Sequence, residues 1–150
     1  MHIQNMLKAD RAKAIAVSPQ LTLGEIIEKC EAIAAKGYKT HDGGEPSVCF
    51  DFEYFKPSHL DSWRGSYDEL ALCFVDRGDQ VPLSGFIHML KDANGKVFTG
   101  YKGGDYTMST QTPVWVANYG NAGNTAIVGV LDKDYEVILQ TAYCEFLPTP

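Results

Sequence analysis

At 150 residues, 45% hydrophobic and 21% charged, the chain is long enough for one domain that buries a sizeable core without staples. Its net charge of −6 argues against a surface for duplex nucleic acid, yet a small anion can still be held by a local Arg and a few backbone N–H groups. No positively charged start leads into an apolar stretch and no apolar run nears the length of a membrane span, which predicts a cytoplasmic protein with no membrane partner.

Residues 1–20 mix Met6, Leu7, Ala14 and Ile15 with Lys8, Asp10, Arg11 and Lys13 and read as a frayed, peripheral N-terminal helix. The first firm element follows: Thr22 and Glu25 are spaced as a capping box, and Leu23, Ile26, Ile27, Cys30, Ile33 and Ala34 recur at helical spacing. A helix is therefore expected over about residues 23–36, stopped by Gly37. After a turn at His41–Gly44, Val48, Phe50 and Phe52 alternate with Cys49, Asp51 and Glu53 as a strand with one apolar face. Pro57, Ser58, His59 and Asp61 mark residues 54–62 as a loop. Beyond it Leu70, Leu72 and Phe74 alternate with Tyr67, Glu69, Ala71 and Cys73 in a strand, 66–75, expected to pair antiparallel with 47–53.

Pro82 stands where the first turn of a helix tolerates proline, Phe86, Ile87, Leu90 and Ala93 form the stripe of a second helix, and Asn94 and Gly95 end it. Leu21-Thr-Leu-Gly-Glu-Ile-Ile and Val81-Pro-Leu-Ser-Gly-Phe-Ile match loosely at a sixty-residue offset, each ahead of strands, which suggests a helix-then-strands unit used twice. Val97–Tyr106 reads as a short strand running into a glycine-rich turn, and Thr112–Asn118 as another strand. After a Gly/Asn-rich loop at 119–124, Thr125–Leu131 pairs with Tyr135–Ala142, and residues 144–150 form a tail. The sum is an α+β domain with a largely antiparallel sheet and two main helices packed on one face. The strand 135–142 has few of the charges or prolines that keep an edge unpaired, so a homo-oligomer is expected.

Cys30, Cys49, Cys73 and Cys144 include no Cys-x-x-Cys pair and read as reduced cysteines, with no metal and no cofactor implied. His2, His41, His59 and His88 lack ligand spacing, and Ser62, Ser66 and Ser84 lack a nucleophile-elbow context. Asp51 and Glu53 share a strand face, with Glu69 and Tyr67 as potential neighbours opposite, but such carboxylates are more often solvated than catalytic.

Two stretches stand out as ligand-binding. Trp63, Arg64 and Tyr67 put a planar cation and two rings within five residues, beside a glycine that allows close backbone approach; this suits a ligand with a π-face and a phosphate or carboxylate. The alternative is that Arg64 pairs with Asp61 or Asp68 while the rings complete the core. Tyr101, Lys102, Gly103, Gly104 and Tyr106 offer consecutive N–H groups, a cation and two rings; the alternative is a hairpin turn needing positive φ.

Three features together resemble a group of small bacteriophage proteins over roughly residues 21–131: Leu23-Gly24-Glu25-Ile26-Ile27, Ser62-Trp63-Arg64-Gly65-Ser66-Tyr67 with Asp68-Glu69-Leu70-Ala71-Leu72, and Phe98 to Met108 (Phe-Thr-Gly-Tyr-Lys-Gly-Gly-Asp-Tyr-Thr-Met) followed by Thr112-Pro-Val-Trp-Val. The resemblance supplies no catalytic residues. It implies a small protein made in the host cytoplasm, where inhibitors of host defence are a frequent class. With the Arg and aromatic cluster, the expectation is a sponge for a small anionic, nucleotide-derived immune signal. The alternatives are a nucleotide-processing enzyme and an inhibitor that binds a host defence protein directly.

Overall fold

The computed structural model describes residues 20–100, 102–117, 124–133 and 135–143, so the expectations for the N-terminal helix, for all but the last residue of the 119–124 loop, for Cys144 and for the tail lie outside the described residues. In chain order the elements are α1 (Leu23–Ala34), β1 (Ser47–Phe50), β2 (Lys56–Trp63), β3 (Ser66–Val75), α2 (Leu83–Ala93), β4 (Val97–Thr99), β5 (Asp105–Thr107), β6 (Val114–Val116), β7 (Thr125–Lys133) and β8 (Glu136–Tyr143). The capping box of α1 is formed: the Thr22 amide donates to Glu25 at 2.8 Å and the Glu25 amide to Thr22 Oγ1 at 3.3 Å. Pro82, the N-cap of α2, has no side chain that can cap. Glu45 does this from a distance, accepting from the Ser84 amide at 2.8 Å and the Ser84 hydroxyl at 2.7 Å.

The fold is α+β. Six strands form one sheet in the order β1-β8-β7-β6-β3-β2, and β4 and β5 form a separate hairpin. Pairing is antiparallel at β8–β7, β7–β6 and β3–β2, and parallel at β1–β8 and β6–β3. Three expectations are corrected by this order. Residues 56–63 are a strand rather than a loop, because Pro57, which cannot donate to a ladder, lies on an edge. The antiparallel partner of β3 is β2, reached through the tight corner at Arg64 and Gly65, while β1 lies at the opposite edge, parallel to β8. And β8 is interior, so it offers no free edge for assembly. Of the true edges, β1 is short and flanked by the Val48 amide donating to Val81 O and the Phe50 amide donating to Phe55 O, and β2 carries Lys56, Pro57, His59 and Asp61.

Only residues 51–55 separate β1 from β2, although these strands sit at opposite edges. A flat six-stranded sheet would hold its edges roughly 24 Å apart at ~4.8 Å per strand. Here the Phe50 amide reaches Phe55 O at 2.8 Å, and the Phe50 and Phe74 rings meet at 5.8 Å, so the sheet curls into an incomplete barrel. Its inner face shares one core with both helices: Leu23, Ile26 and Cys30, then Leu83, Phe86 and Leu90, with Val48, Phe50, Leu70, Leu72, Ile127, Val137 and Leu139. Its outer face holds a second cluster of Trp63, Ala71, Trp115 and Ala126. Cys30, Cys49 and Cys73 are buried, and burial, with a smaller push from Glu31, raises the Cys30 thiol to about 12.

The loosely matching heptads mark a true repeat. Leu21–Leu23 bridges the start of β6, with Leu23 N donating to Thr112 O and Val114 N to Leu21 O; Val81–Leu83 bridges the start of β1 with the same geometry, Leu83 N to Pro46 O and Val48 N to Val81 O. Each unit is a helix, a short strand and a hairpin: α1, β1, β2–β3, then α2, β6, β7–β8. The short strands are exchanged, β1 lying parallel to β8 of the second unit and β6 parallel to β3 of the first. Neither unit completes its sheet without the other. The β4–β5 hairpin lies between α2 and β6, where the first unit has only residues 35–46 between α1 and β1.

Candidate functional site

At the β2–β3 corner the ladder slips. Ser62 pairs with Leu70 but Trp63 pairs with Ser66, so Tyr67, Asp68 and Glu69 are extra on β3 and bulge from the sheet. The bulge is tied down: the buried Ser62 hydroxyl donates to Tyr67 O at 2.7 Å, and the Ser66 hydroxyl donates to Asp68 at 2.6 Å. These bonds fix where Tyr67 stands, a role for Ser62 that the sequence pattern did not show.

The tip of the β4–β5 hairpin comes up against this bulge. Gly100 N donates to Gly104 O and Gly103 N to Gly100 O, both at 2.9 Å, while Gly103 and Gly104 have φ of 93° and 85°. Their glycine identity is thus demanded by the turn, and the Gly103 amide is engaged inside it, so the hairpin-turn alternative accounts for both glycines. Gly100 is required for a different reason. A Cβ there would meet Tyr106 Cε2 at 2.9 Å, Gly103 O at 3.0 Å and Tyr67 Cβ at 3.1 Å. Its bare backbone lets the Tyr67 and Tyr106 rings approach to 6.1 Å at an interplanar angle of 51°. Lys102 and Arg64 are exposed, one on the hairpin tip and the other three residues before Tyr67; Tyr101 lies outside the described residues.

Trp63 is placed differently from the expectation of an open stacking ring. Its indole is buried, stacked on Trp115 with centroids 4.0 Å apart and planes 8° from parallel. Gly65 lies against it, because a Cβ at Gly65 would fall well inside contact with Cη2, Cζ3 and Cζ2 of the ring. The close backbone approach that Gly65 permits is therefore made to Trp63. Trp115 and Glu69, absent from the sequence-based site, complete this corner: Trp115 Nε1 donates to Glu69 Oε1 at 2.6 Å.

The remaining candidates are dispersed. Asp51 ties the end of β1 to β8 by accepting from the Thr141 amide at 2.9 Å and hydroxyl at 2.7 Å, whereas Glu69 accepts from Trp115 and Tyr67 lies against Tyr106. His88 faces Asp92 at 3.4 Å on the exposed side of α2. Among the described residues no group of three His, Cys, Asp or Glu side chains is placed to hold a metal. A cleft of about 760 Å³ lies between the Thr40–Gly44 loop, Ser47 and Gln80. There the Thr40 hydroxyl, and less strongly the Gly44 amide, hold the Asp42 carboxyl below its usual range. A smaller hollow of about 250 Å³ lies between β2 and α2, beside His59, Leu60 and Met89. Neither contains Arg64, Tyr67 or the hairpin tip. No helix among the described residues is long and apolar enough to cross a membrane. Compared with family models, curated proteins and solved structures, the chain finds no match.

Proposed function

We propose that this protein binds a small anionic, nucleotide-derived ligand at the β3 bulge and the hairpin tip, and sequesters it without turning it over. The observation that carries the reading is the meeting of Tyr67 and Tyr106 over Gly100, two half-buried rings from separate segments, with Arg64 and Lys102 exposed on the same two segments. Rings supply stacking area at low entropic cost, and an Arg fork binds phosphate bidentately. The site stands where the structure departs from its own repeat, since the hairpin has no counterpart in the first unit. The resemblance to small phage proteins makes a host immune signal the ligand class to test first.

The purified protein is incubated with a panel of cyclic dinucleotides and ADP-ribose derivatives. One member should be depleted from solution and released unchanged on heating. A chemically altered product would replace sequestration with catalysis. Depletion of none would remove the small-ligand reading, and a pull-down from host lysate would then test direct binding to a defence protein.

A further inference from the structure

The geometry points to the indole face of Trp115 as a subsite for a flat heteroaromatic ring of the ligand, occupied by Trp63 until the ligand arrives. This rests on the small-ligand reading above and adds to it the stacking surface and the side chain that guards it.

The two indoles are unequal. Trp115 sits on β6, between β7 and β3, and its N–H is satisfied by Glu69 at 2.6 Å. Trp63 ends the edge strand β2, next to the slipped register and the Arg64–Gly65 corner. Its Nε1 is buried with no hydrogen-bond partner, the one such side-chain atom among the described residues. A buried donor without an acceptor is destabilising, and a native fold that keeps one needs a reason. Trp63 is only 6% exposed, yet its indole is held by apolar packing, on Trp115, among the alanines of the outer cluster and against the Gly65 backbone, with no polar anchor.

The scaffold does not require this pair. In the repeated unit the position of Trp115 is taken by Cys49, two residues after its bridge as Trp115 is two after Pro113, and the last residue of the first hairpin strand is Lys133 in place of Trp63. At those positions the sheet closes without an indole pair. The Trp pair and the inserted hairpin are thus both departures from the repeat, and both meet the β3 bulge, through Glu69 and Tyr67 respectively.

When Trp63 swings out about the Arg64–Gly65 corner, its N–H regains water or a ligand acceptor, and the vacated face of Trp115 accepts a ring of the same thickness. A nucleobase fits that requirement, since each has a π-face for stacking. Closed Trp63 lowers the apparent affinity by the fraction of time the subsite is open.

The chain has only these two tryptophans, so tryptophan signals report on this pair alone. In the ligand-free protein, the Trp63 indole N–H should exchange with deuterium about tenfold or more faster than that of Trp115, at a rate unaffected by mild urea, as local opening requires. Exchange of Trp63 only at the urea-dependent rate of global unfolding would overturn the swing. In Trp63→Ala, adenosine monophosphate should quench the single remaining tryptophan and bind about tenfold tighter than to the wild type if Trp63 is open a tenth of the time. Absence of quenching, or affinity no better than wild type, would overturn the subsite. Should Trp63→Ala fail to fold, the exchange measurement decides. Quenching by adenosine monophosphate together with no capture from the signal panel would leave the subsite standing and remove the sequestration reading.

Discussion

The turn joining β1 to β2 stores strain that substitution should release. Phe52-Glu53-Tyr54-Phe55 closes with the Phe55 amide donating to Phe52 O at 3.2 Å, and Glu53 and Tyr54 have φ of 53° and 55°. Positive φ at both central residues, which a type I′ turn also requires, is normally met by Asn-Gly because a left-handed backbone costs an ordinary side chain about 1–2 kcal/mol per residue. Tyr54 is 69% exposed, so removing its ring forfeits little burial. Glycine gives back about 0.5–1 kcal/mol through the freer unfolded chain. The double change Glu53→Asn, Tyr54→Gly should therefore stabilise the protein by roughly 1–2 kcal/mol, or about 2–8 °C in Tm at ~2–4 °C per kcal/mol for a chain of this size. The turn tolerates its strain because it is over-determined: Phe52 and Phe55 pack edge to face at 5.7 Å, and Phe55 stacks on Phe74 at 5.4 Å. Circular dichroism melts of wild type and variant decide it. A Tm that stays level or falls would show that Glu53 and Tyr54 contribute more through their side chains than their backbones cost, and would refute the reasoning.

Other outcomes follow from single contacts. Gly100→Ala should destabilise by about 1–3 kcal/mol, because its methyl has the Tyr106 ring, the Tyr67 Cβ and a carbonyl to displace, and it should weaken ligand capture by parting Tyr67 from Tyr106; melts and titration measure the two effects. Arg64→Ala should weaken binding of a phosphate-bearing ligand at least ~tenfold, since a charge-assisted bond contributes about 1.5–3 kcal/mol, and unchanged affinity in calorimetry would remove Arg64 from the site. The Ser84 hydroxyl, then its amide, hold the Glu45 carboxyl in the folded protein below its ordinary value in an unfolded chain. The stability this gives is present above that unfolded value and is lost as pH falls through the lower folded one. Glu45→Gln should lower Tm at neutral pH by the equivalent of about 1 kcal/mol or less, with the difference from wild type shrinking in acid.

The parts of the fold that show in the sequence are those whose signal is local. The capping box and 3.6-residue stripe of α1 involve neighbours in the chain, as do Asn94-Gly95 ending α2 and the hairpin of β7 with β8. Strand partners are settled by contacts distant in sequence, so β1 and β3 looked like neighbours while the structure separates them by three strands. Pro57 and Ser58 disguised β2 as a loop, because an edge strand can keep a proline that an inner strand excludes. The same assumption made β8 look like an edge, since nothing in Tyr135–Ala142 reveals that β1 arrives from the other end of the chain to cover it.

For the site, the repeat supplies what the local motif lacked. Trp63, Arg64 and Tyr67 are close in sequence, yet the fold sends Trp63 into the stack with Trp115 and Tyr67 toward Tyr106. No spacing rule distinguishes the two rings, because the divergence comes from the three-residue slip at Ser62 and from partners that arrive from β6 and β5. Superposing the units in register separates scaffold from addition: Val48, Val137 and Leu139 answer Val114, Leu70 and Leu72 and fill the same core, whereas the indole pair and the β4–β5 hairpin answer nothing. Positions that recur are explained by closing the sheet. Those that do not recur lie at one end of β3, and two costs with no structural return are found among them: a buried indole N–H without an acceptor, and a glycine that holds two tyrosines together. A scaffold already closed by its repeat gains nothing from either, which is why the ligand-binding proposal is placed at this end of β3.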